Sequence, residues 1–282
     1  MGNQMVGKHM IDTARHSAPA RLGAVVAAAR REIGDAFSSL HFAEDQLGRE
    51  MGGLMMVDHF VMTAPTFAPH LHVGMAVVTA LFDDAHGELL NRDTLGRNIA
   101  LKPGDLYWLT AAVGAVHEQR PGEGARAHGL QIFLDLPACF KSMPSHALHV
   151  RADEAPLLAA AGYRVRVLLG VSGDVAGAQG SPQEMTLLDG ALQAGGRFVH
   201  QLPPGRHAWI YVVSGALTVG AQGEQRMVPA GHAISVGAGA AAGIGIEAVA
   251  AAHFVLLATV ATAAAHPVRI DHQPAAPAPG MP

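Results

Sequence analysis

Three histidines on two separate segments are the residues of this chain best suited to metal chemistry. His70 and His72 stand one residue apart in APHLHVGMAVVTA, just before an apolar run. In an extended segment, residues i and i+2 point to the same face, so one ion could meet both imidazoles. Imidazole is the commonest metal ligand near neutral pH. An HxH pair alone is weak support for a metal site, because two polar residues at the start of a strand give the same pattern.

The third candidate ligand is His117, which follows the apolar segment YWLTAAV and lies 45 residues after His72 (117 − 72). By the same alternation, Gln119 shares the face of His117, and Glu118 lies on the opposite face. The second segment therefore offers His117 with Gln119, or His117 alone. A structural role for His117 as a loop cap is an equally open alternative at this point.

Other catalytic arrangements have little support in the sequence. Motifs of the types GxSxG, GxxxxGK[ST] and strand-linked GxGxxG are absent. The single cysteine, Cys139, has no evident base near it, and a lone cysteine excludes an internal disulfide and a CxxC metal site. Among the 17 histidines, we expect His59 to be a core or loop residue bonded to the backbone. For His128 we expect a structural or surface role near the start of a strand.

The composition excludes several classes of partner. Half of the 282 residues are hydrophobic, 15% are charged, and the net charge is −4, which gives no basic field for nucleic acid or an anionic membrane. The longest apolar stretches are too short for an ordinary membrane span, and the first residues lack the apolar core of a secretory signal. We therefore expect a cytoplasmic protein with no direct nucleic-acid partner and no membrane partner.

Short apolar runs alternate with turn signals along the body of the chain. Runs such as MAVVTALF, YWLTAAV and IYVVSGALTVG are separated by proline and glycine turns such as KPGD and VPAG, a pattern typical of an all-β sandwich or barrel. The helical patterns are all short, as in RLGAVVAAARREI and DEAPLLAAAG. The body is also weakly duplicated, since KPGDLYWLT corresponds to VPAGHAISV, and GMAVVTALF to AWIYVVSGALTV. This predicts two similar β domains.

Several motifs of the first half, taken together, resemble those of the pirin family of bicupins. They are VDHF, PHLHVGMAVVT, RDTLGRNIALKPGDLYWLTAAVGAVHEQ and HGLQIFLDLP, in that order between Val57 and Pro137. The second half matches more thinly, through RVLLG, LPPG and WIYVVSGAL. The resemblance implies an all-β fold of two cupin barrels (double-stranded β-helix, or jelly-roll) packed face to face.

With that fold, the chain divides into five predicted segments. They are a flexible N-terminal arm at 1–20, an N-terminal cupin barrel with the metal site at 21–138, a connector at 139–162, a C-terminal cupin barrel without a metal site at 163–266, and a disordered proline- and alanine-rich tail at 267–282.

The resemblance also implies a single metal in the N-terminal barrel. The family's HPH histidines fall on His70 and His72, and its HSE histidine and glutamate fall on His117 and Gln119. An amide oxygen is a neutral and usually weaker ligand than a carboxylate. Glu118 could substitute only if the strand shifted by one residue, which would turn every neighbouring side chain to the other face.

Bacterial pirins resemble quercetin 2,3-dioxygenases, which implies an oxidoreductase that acts on quercetin or other flavonol-type substrates. Its partners would be a small aromatic substrate and O₂, and its metal iron(II), with other divalent transition metals open. The family's charged residues beside the histidines are replaced here by Val73 and Ala76, so a different reactivity is expected. Because Gln119 stands where a carboxylate would accept the substrate proton, no catalytic residue is identified and weak activity or another substrate is expected. The alternatives are a non-enzymatic, metal-binding regulatory or redox-sensing protein that acts through a protein partner, and a vestigial site without metal.

Overall fold

The structure, a computed structural model, describes residues 18–47, 51 and 53–260. The predicted tail at 267–282 and all but the last three residues of the predicted arm lie outside the described residues. Within the described part of the chain, no helix is long and apolar enough to cross a membrane.

The described chain consists of 24 strands, one helical turn and one 3₁₀ turn. The first half contains β1 (Leu22–Ala27), β2 (Ala29–Ile33), β3 (Phe37–Ala43), α1 (Glu44–Leu47), β4 (Leu54–Met62), β5 (His70–His72), β6 (Met75–Leu81), β7 (Leu89–Asp93), β8 (Asn98–Leu101), β9 (Leu106–Ala111), β10 (Ala115–Pro121), β11 (Ala127–Asp135) and β12 (His146–Val150). The second half contains a 3₁₀ turn (Ala152–Glu154), β13 (Leu157–Ala160), β14 (Tyr163–Leu169), β15 (Val171–Ser172), β16 (Val175–Ala176), β17 (Met185–Leu192), β18 (Arg197–Leu202), β19 (Arg206–Ser214), β20 (Ala216–Ala221), β21 (Glu224–Pro229), β22 (His232–Val236), β23 (Ala242–Ala248) and β24 (Ala252–Val260). The all-β prediction is confirmed.

Each of the two barrels combines a seven-stranded sheet with a four-stranded sheet. In the N-terminal barrel the strand orders are β12-β9-β6-β11-β4-β3-β2 and β5-β10-β7-β8. In the C-terminal barrel they are β1-β22-β19-β24-β17-β14-β13 and β18-β23-β20-β21. The duplicated segments occupy matching places, since β9 and β22 are second and β6 and β19 are third in their sheets. The sequence duplication therefore corresponds to a structural repeat.

Three apolar clusters hold this arrangement together. One fills each barrel, and the third lies between the two large sheets, where Trp108 and Leu130 of the first sheet meet Trp209 and Leu257 of the second. All seven residues of β6 are buried, because one face of this strand points into its barrel and the other toward the neighbouring barrel. The barrels thus pack face to face, as the resemblance implied.

Both predicted helical segments are wrong. The segment RLGAVVAAARREI forms β1 and β2, and DEAPLLAAAG forms the 3₁₀ turn and β13. Helix propensity is a weak preference that tertiary pairing overrides. Here β1 pairs with β22 and β13 pairs with β14, at the two edges of the second large sheet, while β2 pairs with β3 at an edge of the first.

The structure also differs from the predicted division into domains. Although β1 lies within the predicted N-terminal barrel at 21–138, it pairs with β22 of the C-terminal barrel. The predicted connector at 139–162 supplies an edge strand to each barrel, since β12 pairs with β9 and β13 pairs with β14. The chain therefore crosses between the barrels more than once, which ties them together.

A chain of polar side chains crosses the interface between the barrels. The hydroxyl oxygen of Tyr211 lies 2.6 Å from His59 Nδ1, and His59 Nε2 lies 2.7 Å from His128 Nε2. His128 Nδ1 lies 2.7 Å from a carboxylate oxygen of Asp84. His59 is thus bonded to side chains, and the expectation of a backbone partner is wrong. Burial, and next the neighbouring His128, lower the pKa of His59 to about 3.

We predict that acid destabilises the protein in part through His59. Its pKa is lowered in the folded state, so the unfolded state binds more protons below pH 6.5, and stability is lost as the pH falls from there toward 3. Between pH 7.5 and pH 5, the wild type should lose about 2 kcal/mol more unfolding free energy than His59→Gln. Denaturant titrations at both pH values measure this. The exposed-site control, His146→Gln, should match the wild type, and equal losses in the wild type and His59→Gln would contradict the prediction.

Candidate metal centre

Strand pairing brings the three histidines together inside the N-terminal barrel. Strands β5 and β10 are antiparallel neighbours, with His70 directly opposite His117 and His72 opposite Ala115. His72 and His117 are buried, His70 is partly buried, and Leu71 between the two β5 histidines is 62% exposed. The alternation predicted from the sequence therefore turns all three imidazoles toward the barrel interior.

The geometry of the three rings suits one shared ion. Ligand atoms from His70, His72 and His117 all lie within 4.8 Å of one another, and the ring centroids are 4.7–4.9 Å apart. The Nε2 atoms of His72 and His117 are 3.1 Å apart. Two nitrogen ligands about 2.1 Å from one ion are separated by about 3.0–3.4 Å at octahedral to tetrahedral angles. The observed separation falls in that range.

The protonation and hydrogen bonding of the rings also fit a metal. Burial, and next the neighbouring His70, lower the pKa of His117 to about 3, so its ring is neutral at pH 7, as a metal ligand must be. His70 Nδ1 lies 2.8 Å from the carbonyl oxygen of Ala68, which orients this ring as backbone partners of metal-bound histidines commonly do. His117 Nδ1 is buried without a hydrogen-bond partner among the described residues. The three imidazoles therefore form a donor set that fits a divalent transition metal.

Gln119, the predicted fourth ligand, lies on the buried face of β10 beside His117. The hydroxyl of Thr79 donates to Gln119 Oε1 at 3.0 Å, and Gln119 Nε2 donates to Asn91 Oδ1 at 3.2 Å. Both ends of the amide are thus engaged by neighbouring strands, and a ligand role for Gln119 stays a prediction. Glu118 points to the opposite face, so the structure does not bring it into the cluster.

A cavity of about 360 Å³ opens beside the histidines. Its wall is lined by His70, His117, Gln119, Asp58, Gln131, Ser39, Met56, Met62, Ile33, Phe37, Phe60, Phe67, Phe133, Arg31 and Glu32. Asp58 and Gln131 were not among the predicted site residues. The sequence feature that could have identified them is a polar residue at an inward position of an otherwise apolar strand. Asp58 is such a residue, since it lies between Met56 and Phe60 on the inner face of β4.

The C-terminal barrel carries different residues at the positions that match the three histidines. Strands β18 and β23 match β5 and β10 in sheet position, and they pair in the same register. His200 lies opposite Ile244 as His70 lies opposite His117, while Leu202 takes the place of His72. Two of three imidazoles are thus replaced by apolar side chains. Among the described residues, the N-terminal cluster is the one group of three or more His, Cys, Asp or Glu that could hold a metal.

Two duplicated cupin barrels with one imidazole cluster define a bicupin with a candidate metal centre. The family model described as Pirin matches residues 21–134, the part of the chain that carries the cluster. The N-terminal part of the chain is therefore similar to the pirin family, as its sequence motifs indicated.

Curated relatives agree with this assignment. A Pseudomonas aeruginosa protein provisionally named quercetin 2,3-dioxygenase is 33% identical over 178 residues, which are 58% of this chain and 61% of that protein. Human Pirin is 27% identical over 214 residues, which are 74% of this chain and 72% of human Pirin. The chain thus spans less than two thirds of the length of the Pseudomonas relative.

Solved structures share the fold. They include GK1651 from Geobacillus kaustophilus, with a TM-score of 0.79, 24% identity, and coverage of 89% of this chain and 100% of that one. Quercetin 2,3-dioxygenase from Acinetobacter baumannii has a TM-score of 0.74 at 22% identity, covering 86% and 88%. The bacterial pirin YhhW from Escherichia coli, in complex with nickel(II), has a TM-score of 0.64 at 21% identity, covering 86% and 100%.

We predict that His117→Ala weakens metal binding by more than about 100-fold. Removing a histidine ligand lowers metal affinity at least as much as removing the hydrogen-bond partners that orient such a ligand. Equilibrium dialysis against Ni²⁺ with elemental analysis should give about one ion per wild-type chain, from one three-imidazole cluster. His146→Ala, which removes an exposed histidine, is the matched control and should bind like the wild type. Equal nickel occupancy in His117→Ala and the wild type would contradict the assignment.

Proposed function

We propose that this protein is a mononuclear metal-dependent dioxygenase that acts on flavonol-type aromatic substrates with O₂. The observation that carries the proposal is the position of His70 and His117 in the wall of a cavity lined with aromatic side chains. The similarity to proteins named quercetin 2,3-dioxygenase supports the choice of substrate class.

The shape and chemistry of the cavity suit a flat aromatic molecule. Its volume of about 360 Å³ falls in the usual range for small-molecule sites. Phe37 stacks on Phe60 with ring centroids 6.3 Å apart and meets Phe67 edge-on at 5.1 Å. These rings would contact the faces and edges of a bound aromatic ligand and exclude water from it.

His70, His72 and His117 would hold the metal, which we propose to be iron(II). When bound, such an ion polarises a substrate oxygen as a Lewis acid and supplies the redox chemistry that O₂ requires. The remaining tasks fall to the protein. The phenylalanines position the ring, and the amide of Gln119 adds no charge beside the imidazoles. Because an amide is a poor proton acceptor, Gln119 cannot serve as the base that a carboxylate at this position would provide.

The second candidate function is a metal-binding regulatory protein that acts through a protein partner. The feature that favours it is a group of exposed apolar side chains around the ligand strand β5: Leu71 at 62%, Val73 at 49% and Val113 at 61% exposure. Exposed apolar patches commonly mark protein contacts. Metal binding without oxygen consumption would favour this candidate.

We predict that the iron-loaded wild type consumes O₂ in the presence of quercetin, and that His117→Ala consumes none above background. An oxygen electrode follows the uptake, and mass spectrometry follows the ring-opened product. Iron occupancy without oxygen uptake or product would contradict the dioxygenase proposal.

We also predict that Gln119→Glu raises metal affinity by about tenfold, equivalent to about 1.4 kcal/mol, because a carboxylate offsets part of the ion's charge. Quercetin turnover should rise with it. The charge-matched control is Gln201→Glu, which adds the same charge at an exposed position of the C-terminal barrel. Dialysis and oxygen uptake measure the two effects. If neither metal affinity nor turnover changes in Gln119→Glu, the role assigned to Gln119 is wrong.

A further inference from the structure

A buried carboxylate, Asp58, lies on the inner face of β4 in the same cavity as the histidines. Its neighbours along that face, Met56 and Phe60, belong to the apolar core of the barrel. Burying a carboxylate in such surroundings costs free energy unless hydrogen bonds compensate. The hydrogen bonds of Asp58 therefore indicate whether its role is structural or chemical.

Both hydrogen-bond partners of Asp58 contact the same carboxylate oxygen. The Ser39 hydroxyl donates to Asp58 Oδ1 at 3.0 Å, and His41 Nδ1 lies 2.9 Å from it. Both come from β3, where His41 is directly opposite Asp58. None of the described residues donates to Oδ2. One oxygen is thus anchored to the neighbouring strand, and the other keeps its capacity to accept a hydrogen bond from a ligand in the cavity.

The position of Asp58 in the sheet places it beside the metal-centre strands. Strand β11 sets Gln131 between Asp58 on one side and Thr79 on the other. The Thr79 hydroxyl lies 3.0 Å from Gln119 Oε1 and 3.1 Å from Gln131 Oε1. A row of polar groups therefore runs across the inner face of the barrel from Asp58 to Gln119. Asp58 is the carboxylate at one end of that row.

We propose that Asp58 is the proton acceptor for a phenolic or enolic hydroxyl of an aromatic ligand bound in the cavity. This inference rests on the proposed function. The ligand's O–H bond breaks, its electron pair stays on the ligand oxygen, and the proton forms a new O–H bond at Asp58 Oδ2. Ser39 and His41 are positioning residues that hold the carboxylate still. Asp58 thus supplies, from the facing wall, the base that the neutral Gln119 does not provide.

The first test measures binding and needs neither metal nor turnover. Metal-free protein is titrated with quercetin and with its mono-methyl ethers, in each of which one hydroxyl is blocked. A hydrogen bond to a charged group contributes about 1.5–3 kcal/mol, so the wild type should bind one of these ethers about 10- to 100-fold more weakly than quercetin. Asp58→Ala should bind that ether and quercetin equally. Retention of the wild-type preference in Asp58→Ala would overturn the proposal.

The matched control for the binding test is Asp93→Asn. Asp93 is a second buried carboxylate of the same barrel, but it lies outside the cavity lining and accepts hydrogen bonds from Tyr107 and from the backbone of Leu95 and Arg97. This variant should keep the wild-type preference among the ethers. Loss of the preference in Asp93→Asn as well as in Asp58→Ala would show a general effect of barrel packing and overturn the assignment.

The second test uses Asp58→Asn in the iron-loaded protein, because asparagine keeps an acceptor oxygen but cannot take up the proton. We expect kcat to fall about 100-fold with KM within about threefold of the wild type. An unchanged kcat would overturn the role of Asp58 while leaving the dioxygenase proposal standing. If the wild type consumes no O₂, the dioxygenase proposal fails, and the binding test still decides on Asp58.

Discussion

The antiparallel pairing of β5 with β10 is the contact on which the candidate site depends. It sets His70 directly opposite His117 and His72 opposite Ala115, so that three rings from segments far apart in sequence meet. The side-chain period of a strand is two, and a shift of one residue in this register would turn His117 outward and Glu118 inward. The buried interior of the barrel on one side of β10 and the more exposed face on the other side fix that register. The grouping of the three imidazoles is thus a consequence of barrel folding.

Comparison of the two barrels explains why, among the described residues, only the N-terminal barrel has such a cluster of imidazoles. Both barrels use the same strand order and the same register at the matching strand pair. In the C-terminal barrel, Leu202 and Ile244 stand where two of the imidazoles would be, and its interior is filled by an apolar core. The N-terminal barrel keeps a cavity and polar residues at the same depth. The two barrels therefore share a scaffold, which encloses an apolar core in the C-terminal copy and a cavity with a candidate metal centre in the N-terminal copy.

Local sequence patterns were enough for the strands, the repeat and the inward faces of His70, His72, His117 and Gln119. Local patterns were not enough where the structure of a segment depends on a strand that is distant in sequence. The alanine-rich segment of β1 has a helical pattern by itself, and it becomes a strand only because the edge of the C-terminal sheet is open to it. The surroundings of Asp58 likewise follow from the pairing of β3 with β4 and of β4 with β11, which the sequence does not reveal.

We propose that the imidazoles of His70, His72 and His117 bind one ion inside the N-terminal barrel. X-ray absorption spectroscopy of the nickel-loaded protein is the most direct test, because imidazole rings give a characteristic multiple-scattering pattern. We expect a signal of three imidazoles per ion. Nickel bound by oxygen atoms alone, or by oxygen atoms and one imidazole, would show that the three rings do not share an ion.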